Sequence, residues 1–287
     1  MLSCLPTILL RAATLLPVVL LVGCQTIDLD ATHGEAALLH AARSTPDAVT
    51  LEIYWVSLPS HESDEGQALW GHIQENRLAP DLRRRLAHNG MRAGVFGGAL
   101  PSEVHRLLNP DGGEAENAAQ TNSSLRETGV WRRTRQLRPG DHVELQASES
   151  RPETSLLVSR NEEMTGAIYT NAQAYYQLST SLTPTGQSEL TLTPELRHGI
   201  PKPRWTPDET GVIAHATPRR DAVVFHDLEI SVPLAAGEAL LVTSLPDSDA
   251  RVGGHLHKLE DSTTGSRKAI LIRVVQAPRG ESLALVD

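Results

Sequence analysis

Two of the twelve histidines in this chain, His255 and His257 in the stretch HLHKLE, have a spacing that suits chemistry. Residues at i and i+2 of a strand project from one face, and two imidazoles so placed could ligate zinc. Further ligands would have to come from Glu260 or from His226 across a turn. The plainer reading is a pair of surface histidines on an edge strand, so no metal and no other cofactor is expected.

Other chemistry is poorly served. The chain has no G-x-S-x-G nucleophile elbow, and Gly97-Gly98-Ala99 followed by Leu-Pro reads as a strand exit. The glycines at 90, 94, 97 and 98 fit neither a dinucleotide fingerprint nor a P-loop. The acidic pairs Asp64/Glu65 and Glu162/Glu163 are adjacent in sequence and diverge in either a helix or a strand. Glu189 and Glu195 could share a strand face but would stand about 20 Å apart, beyond any glycosidase separation. No catalytic residue is assigned, and the protein is expected not to be an enzyme.

Arg83-Arg84-Arg85, with Arg77 and Arg92 nearby, is the one concentrated basic patch. It could meet anionic lipid head groups at about 1 kcal/mol per cation, or it could be a solvated helix face in which Asp81 pairs with Arg84 or Arg85. Among the tryptophans, Trp55 and Trp70 are expected in the core, and Trp205 in GIPKPRWTP is the best exposed candidate for a binding surface. The net charge is −9, and it becomes one unit more negative without residues 1–23, whose only charged side chain is Arg11. Nucleic acid is therefore not an expected partner.

The apolar stretch from Ala12 to Gly23 is too short to span a membrane and suits a signal peptide. Leu21-Val22-Gly23-Cys24 resembles the lipobox of bacterial lipoproteins. That resemblance implies cleavage before Cys24 and lipidation of its thiol, palmitate being one acyl chain such a site carries. It makes the membrane a partner, because several acyl chains anchor lastingly where one binds reversibly. Gln25 in place of Asp implies the outer membrane, facing the periplasm, rather than the inner one. The other cysteine, Cys4, lies in the signal peptide, so no disulfide is expected.

The elements that must position these residues follow from the hydrophobic pattern. Residues 1–23 are the signal peptide, and 24–47 a tether with a short helical stretch. Residues 48–108 read as a β-α-α-β-α lobe: a strand AVTLEIYWVSL, helices within 62–76 and from Pro80 to Asn89, a strand MRAGVFGG, and a helix after Ser102. Gly90 falls where a C′ glycine belongs. Residues 109–128 have almost no apolar content and read as a mobile loop, and 279–287 as a C-terminal tail.

From Gly129 to Pro278 the pattern is mainly β and is expected to form one domain with 48–108. In AIYTNAQAYYQLSTSLT, 167–183, even positions are mostly apolar and odd ones mostly polar. The alternation resumes after Pro184-Thr185-Gly186, which predicts a long hairpin, with Pro194 on an edge or at the strand's end. Beyond GIPKPRWTP, four more strands are expected in AVVFHDLEISVPL, EALLVTSLP, HLHKLE and KAILIRVVQ, with Gly253-Gly254 in a connection. The fold class is α+β, mainly β: an antiparallel or mixed sheet meander with a long hairpin and a small helical lobe.

The order of these segments resembles the secretin β-domain. VTLEIYWVSLPSHESDEGQALWGHI is similar to its opening, YYQLSTSLTPTGQSELTLTPELRHG to its central hairpin, and DLEISVPLAAGEALLVTSLPD and KAILIRVVQAP to its later strands. The likeness spans roughly residues 48–278, and it implies a secretin-like fold. Secretins are ring-forming outer-membrane pores, but no ring-building repeats precede this region, and no lipid-facing aromatic girdle is visible. LWGHIQENRLAPDLRRRLAHNGMRAGVFGG is also similar to uncharacterised lipoproteins of planctomycete-type bacteria. The expectation is a lipid-anchored cell-envelope protein with a structural or interaction role. It would meet an envelope protein partner or itself through sheet edges near Pro194 and residues 254–259. The alternatives are a secretin-type pore component and a metal-dependent hydrolase using His255 and His257.

Overall fold

A computed structural model describes residues 47–59, 63–108, 130–161, 163–207, 214–258 and 267–278. The expected signal peptide, Cys24 with its lipobox, the tether up to residue 46, the loop 109–128 and the tail 279–287 lie outside them. Residues 44–287 form one compact unit by themselves.

The first sheet contains β1 (Val49–Leu58), β2 (Met91–Phe96), β3 (Val130–Leu137), β10 (Ala239–Ser244) and β11 (Arg267–Gln276), in the order β2-β10-β11-β1-β3. Every pairing in it is antiparallel. The second contains β4 (His142–Gln146), β6 (Glu163–Leu182), β7 (Ser188–Pro207) and β8 (Ala214–Val224), with β5 (Arg151–Arg160) on β6 and β9 (Ile230–Leu234) on β7. The molecule is therefore α+β and mainly β, built on antiparallel sheets.

Sequence pattern explains the layering. Leu51, Ile53 and Trp55 of β1 face Tyr176, Leu178, Leu190 and Ile230 of the second sheet in the larger core cluster. The intervening Tyr54, Val56 and Leu58 face the opposite way, into a second cluster with Leu69, Phe96 and Val104. There the helices α1 (Asp64–Gly71) and α3 (Ser102–Leu108) cover the sheet. A strand covered on both faces has no need of alternation, which is why β10 is buried along its whole length. Each such Leu or Ile contributes about 1.5–3 kcal/mol by leaving water. The second sheet is covered on one face only, so β6 alternates.

The helices start and stop on local signals. Ser63 caps α1 by accepting from the Gly66 N–H at 3.1 Å. The expected helix over 62–76 ends at Gly71 and gives way to a 3-10 turn over Glu75–Arg77. α2 (Pro80–His88) begins on proline, and Gly90 follows its cap at φ +74. A Cβ at Gly90 would also lie 2.4 Å from that of Ser248.

Two expectations need correction. The first half of HLHKLE is not a strand: residues Val252–His257 form a short helix, α4. Gly253 is there for close packing rather than for a turn, since a Cβ on it would sit 1.9 Å from the Gly90 carbonyl oxygen. Pro194 is neither on an edge nor at a strand end. It lies inside β7, opposite Tyr176 of β6, where the partner on the far side changes from β9 (Ser188–Leu192 paired) to β8 (from Glu195). Its carbonyl accepts from Phe225 N–H at 2.9 Å. Its ring nitrogen faces that same break between partners, so no ladder hydrogen bond is lost. Neither Pro194 nor residues 254–258 form a sheet edge.

Candidate functional site

In α4 the i, i+2 spacing of His255 and His257 turns the rings apart rather than together. His257 is fully buried. Its Nδ1 is 3.0 Å from the Lys268 carbonyl oxygen, which can only accept, so Nδ1 carries the proton. Nε2 then accepts from the Tyr176 hydroxyl at 2.7 Å. Trp55 closes the group, its ring 6.1 Å from the imidazole and 4.8 Å from Lys268 Nζ, which donates to the Ala147 carbonyl. Burial, with help from the Lys268 charge, holds the His257 pKa down at about 3. Burial also pushes the Tyr176 hydroxyl well above its ordinary value.

His255 does a different job. Its Nε2 donates to the Ser155 carbonyl at 3.0 Å, which leaves Nδ1 to accept from Arg151 at 3.2 Å. Burial, then the adjacent Arg151, lowers its pKa. Ser155 lies on the outer edge of β5, and that edge is closed at Ser155, Leu157 and Ser159. The Leu157 N–H donates to the Ala250 carbonyl at 2.7 Å. Asn89 satisfies both backbone groups of Ser159 at 2.9 Å with the two ends of its amide, imitating a strand. All four histidine nitrogens are thus engaged with protein groups. Among the described residues, no three His, Cys, Asp or Glu side chains are arranged to hold a metal ion.

The arginine patch divides. Arg85 donates to the Asp227 carbonyl at 2.8 Å, and Arg77 to the Pro233 carbonyl at 2.7 Å and to Glu238. Arg84 pairs with Asp81 at 2.7 Å on the helix surface. Arg92 is fixed by Glu75 and lies 4.0 Å over Trp70. Neither Arg83 nor Arg85 makes an ion pair among the described residues, and Arg83 Nε is buried without a hydrogen-bond partner. Trp55 is core as expected, but Trp70 is half-buried under Arg92. Glu195 is buried on the otherwise polar face of the second sheet, bonded at 2.6 Å to both Arg197 and Gln177, and Arg197 continues to Glu144. This is a cross-strand clamp. Glu189 accepts instead from Ser181.

The second sheet does not end where the body ends. β6 and β7 pair only from Gln173/Arg197 to Leu182/Ser188. Next to that limit each strand has a positive φ, +49 at Asn171 and +75 at Gly199. Beyond it β6 pairs with β5 and β7 with β8, giving two ribbons. Tyr169 and His198 stack at 4.7 Å where they part, and Arg220 donates to the Asn171 carbonyl at 3.1 Å.

The β5–β6 ribbon buries Thr154 and Leu156 against the body and exposes Met164 and Ile168 on its other face. In the β7–β8 ribbon, Ile200 to Trp205 and, on the partner strand, Ala216, Pro218 and Arg219 are all exposed, on both faces. Ile200 and Trp205 are each 71% exposed, so Trp205 stands clear of the core. Register gives this arm two characters: Pro203 and Trp205 stand opposite Pro218 and Ala216, while Lys202 stands opposite Arg219. Paired prolines occupy a site without ladder bonds, so their ring nitrogens face outward and blunt both edges against strand addition. The sequence marks the arm only by its prolines, which had suggested a break in β7 rather than its continuation.

Comparison with known proteins adds little to this geometry. No protein-family model matches the chain. No curated protein matches it either. Among solved structures, it is similar to the InvG secretin domain β-barrel from the Salmonella SPI-1 injectisome NC-base, at 12% identity and a TM-score of 0.21. The match covers 79% of this chain and 61% of that one. It is a weak structural resemblance to a secretin β-domain and carries no further weight. Among the described residues, no helix is long and apolar enough to cross a membrane.

Proposed function

We propose that the chain is a lipid-anchored protein of the bacterial cell envelope, held at Cys24 on the periplasmic face of the outer membrane, with a structural rather than a catalytic role. The lipobox-like Leu21-Val22-Gly23-Cys24 supports the address. The observation that carries the role is the β7–β8 arm. A lone two-stranded ribbon is marginal by itself in water, and this one holds Ile200 and Trp205 out of the core. Large exposed apolar groups on a projecting element mark an interaction surface. Because prolines blunt its edges, the arm works through side chains, either on an envelope protein or on a second copy of this chain.

The test is a photo-crosslinking amino acid at position 205 in the native envelope, beside one at the exposed Gln67 on α1, with intact mass measured on the extracted chain. The reading expects a lipid-modified Cys24 and a crosslinked adduct from position 205 alone. An unmodified chain starting elsewhere removes the address, and the absence of any adduct from 205 removes the role.

One alternative has an observation of its own. Each strand of the two ribbons is about as long as a tilted membrane-crossing strand, roughly 9–11 residues, which suits a pore component. Against it stand Lys202, Arg204 and Arg219 on the arm, charges that are costly on a lipid-facing surface. The pore reading requires a heat-resistant, ring-sized particle.

A further inference from the structure

Between α2 and the outer strand of the first sheet lies a cleft of about 410 Å³. Its lining divides by character. Leu86, Ala87, Met91 and Leu245 form an apolar side, and Arg83 and Arg84 stand over it. Leu86 and Met91 are each 1% exposed, so this apolar wall is fixed by the core behind it. Arg92 and Glu75 also line the cleft, but they are bonded to each other, and Arg92 rests on Trp70. That pair supplies shape and little net charge.

Arg83 is different. Its Nε is buried and has no hydrogen-bond partner, and a buried charged donor left without an acceptor is costly. Arg84 has a single exposed contact to Asp81, a pair of the kind that contributes little and exchanges readily. A guanidinium fork matches a planar carboxylate or a phosphate. A mostly apolar concavity of a few hundred Å³ with a few convergent polar groups is the ordinary form of a small-molecule site.

We infer that this cleft binds a small amphipathic anion, its carboxylate or phosphate head on Arg83 and Arg84 and its short apolar body along Leu86, Ala87, Met91 and Leu245. The ligand's head is held by the two guanidinium groups, and its body lies along exposed Ala87 and half-buried Leu245, over the wall that Leu86 and Met91 back from the core. Nothing in this depends on the arm or on the lipid anchor.

The test is calorimetric titration of a chain beginning at Ser44, which keeps both sheets and their core, with sodium octanoate, octyl phosphate and 1-octanol. Saturable binding of octanoate, octyl phosphate or both, at one per chain and well above octanol, supports the site and tells which head it prefers. Arg83→Gln should then weaken binding about tenfold or more. Ala87→Leu, an exposed helix position, should block the apolar side without unfolding the protein, and it decides the matter if Arg83→Gln does not fold. Equal binding of octanol, binding unmoved by Ala87→Leu, or no saturable binding of either anion up to about 1 mM would overturn the inference.

Discussion

Lowering the pH from 7 to 5 should weaken this protein, and His257 carries a share that can be isolated. In the folded chain the ring is buried, Nδ1–H is committed to the Lys268 carbonyl, and Nε2 is occupied by the Tyr176 hydroxyl. A second proton would place a charge beside Lys268 in the core, so the folded pKa falls to about 3. In the unfolded chain the same ring titrates near 6.5. A depressed histidine pKa means that the unfolded state takes up the proton first. The contribution to stability is complete above about pH 6.5 and is lost as pH falls toward about 3, at about 1.4 kcal/mol per pH unit. Between pH 7 and 5 the loss is about 2 kcal/mol, a large share of the stability of an ordinary domain. Urea unfolding of the wild type and of His257→Gln at both pH values isolates the term, because every other group titrates in both proteins. The wild type's margin over the variant should shrink by about 2 kcal/mol at pH 5. A margin that stays constant, or an NMR titration placing His257 near 6.5, would refute the account of the ring's surroundings.

Other substitutions test separate parts of the structure. Asn89→Ala strips both backbone groups of Ser159 of their partners, and a loss of about 2–4 kcal/mol is expected by urea unfolding. Gly253→Ala places a methyl group 1.9 Å from the Gly90 carbonyl oxygen, and the chain should fail to give a cooperative thermal transition. Trp205→Ala should leave the unfolding midpoint unchanged, within about 0.5 kcal/mol, because the ring is 71% exposed. A destabilisation of 2 kcal/mol or so there would mean that the arm packs on the body.

How far the fold was legible depends on how local its causes are. The hairpin of β6 and β7 could be read because Ala174, Tyr176, Leu178 and Thr180 face the core in alternation, and Gly186 takes the positive φ its turn needs. α2 could be read because Pro80 and Gly90 mark its ends within a single segment. α4 could not. Its glycines are small because Gly90 and Ser248 press against them, and that contact joins segments 163 residues apart for the Gly90–Gly253 pair. A Gly-Gly before an alternating HLHKLE then looks like a turn and a strand. The same holds for Asn89, which ends a helix by every local sign yet also closes the edge of β5 some 70 residues later.

The histidines show why a spacing rule fails without its element. At i and i+2 the two rings would share a face in a strand; in α4 they are sent to opposite tasks, one to seal an edge and one to fill the space between the sheets. Pro194 makes the converse point. A proline was expected to end or edge its strand because a missing N–H usually breaks a ladder. β7 tolerates it by changing partners there, from β9 to β8. That change also frees the outer half of β7 to leave the sheet with β8 alone. Were β9 longer and continuous with β7 past Glu195, Pro194 would cost a ladder bond and the arm would have no strand to form with. The break in partners is what lets one strand serve the core with its first half and carry Trp205 into solvent with its second.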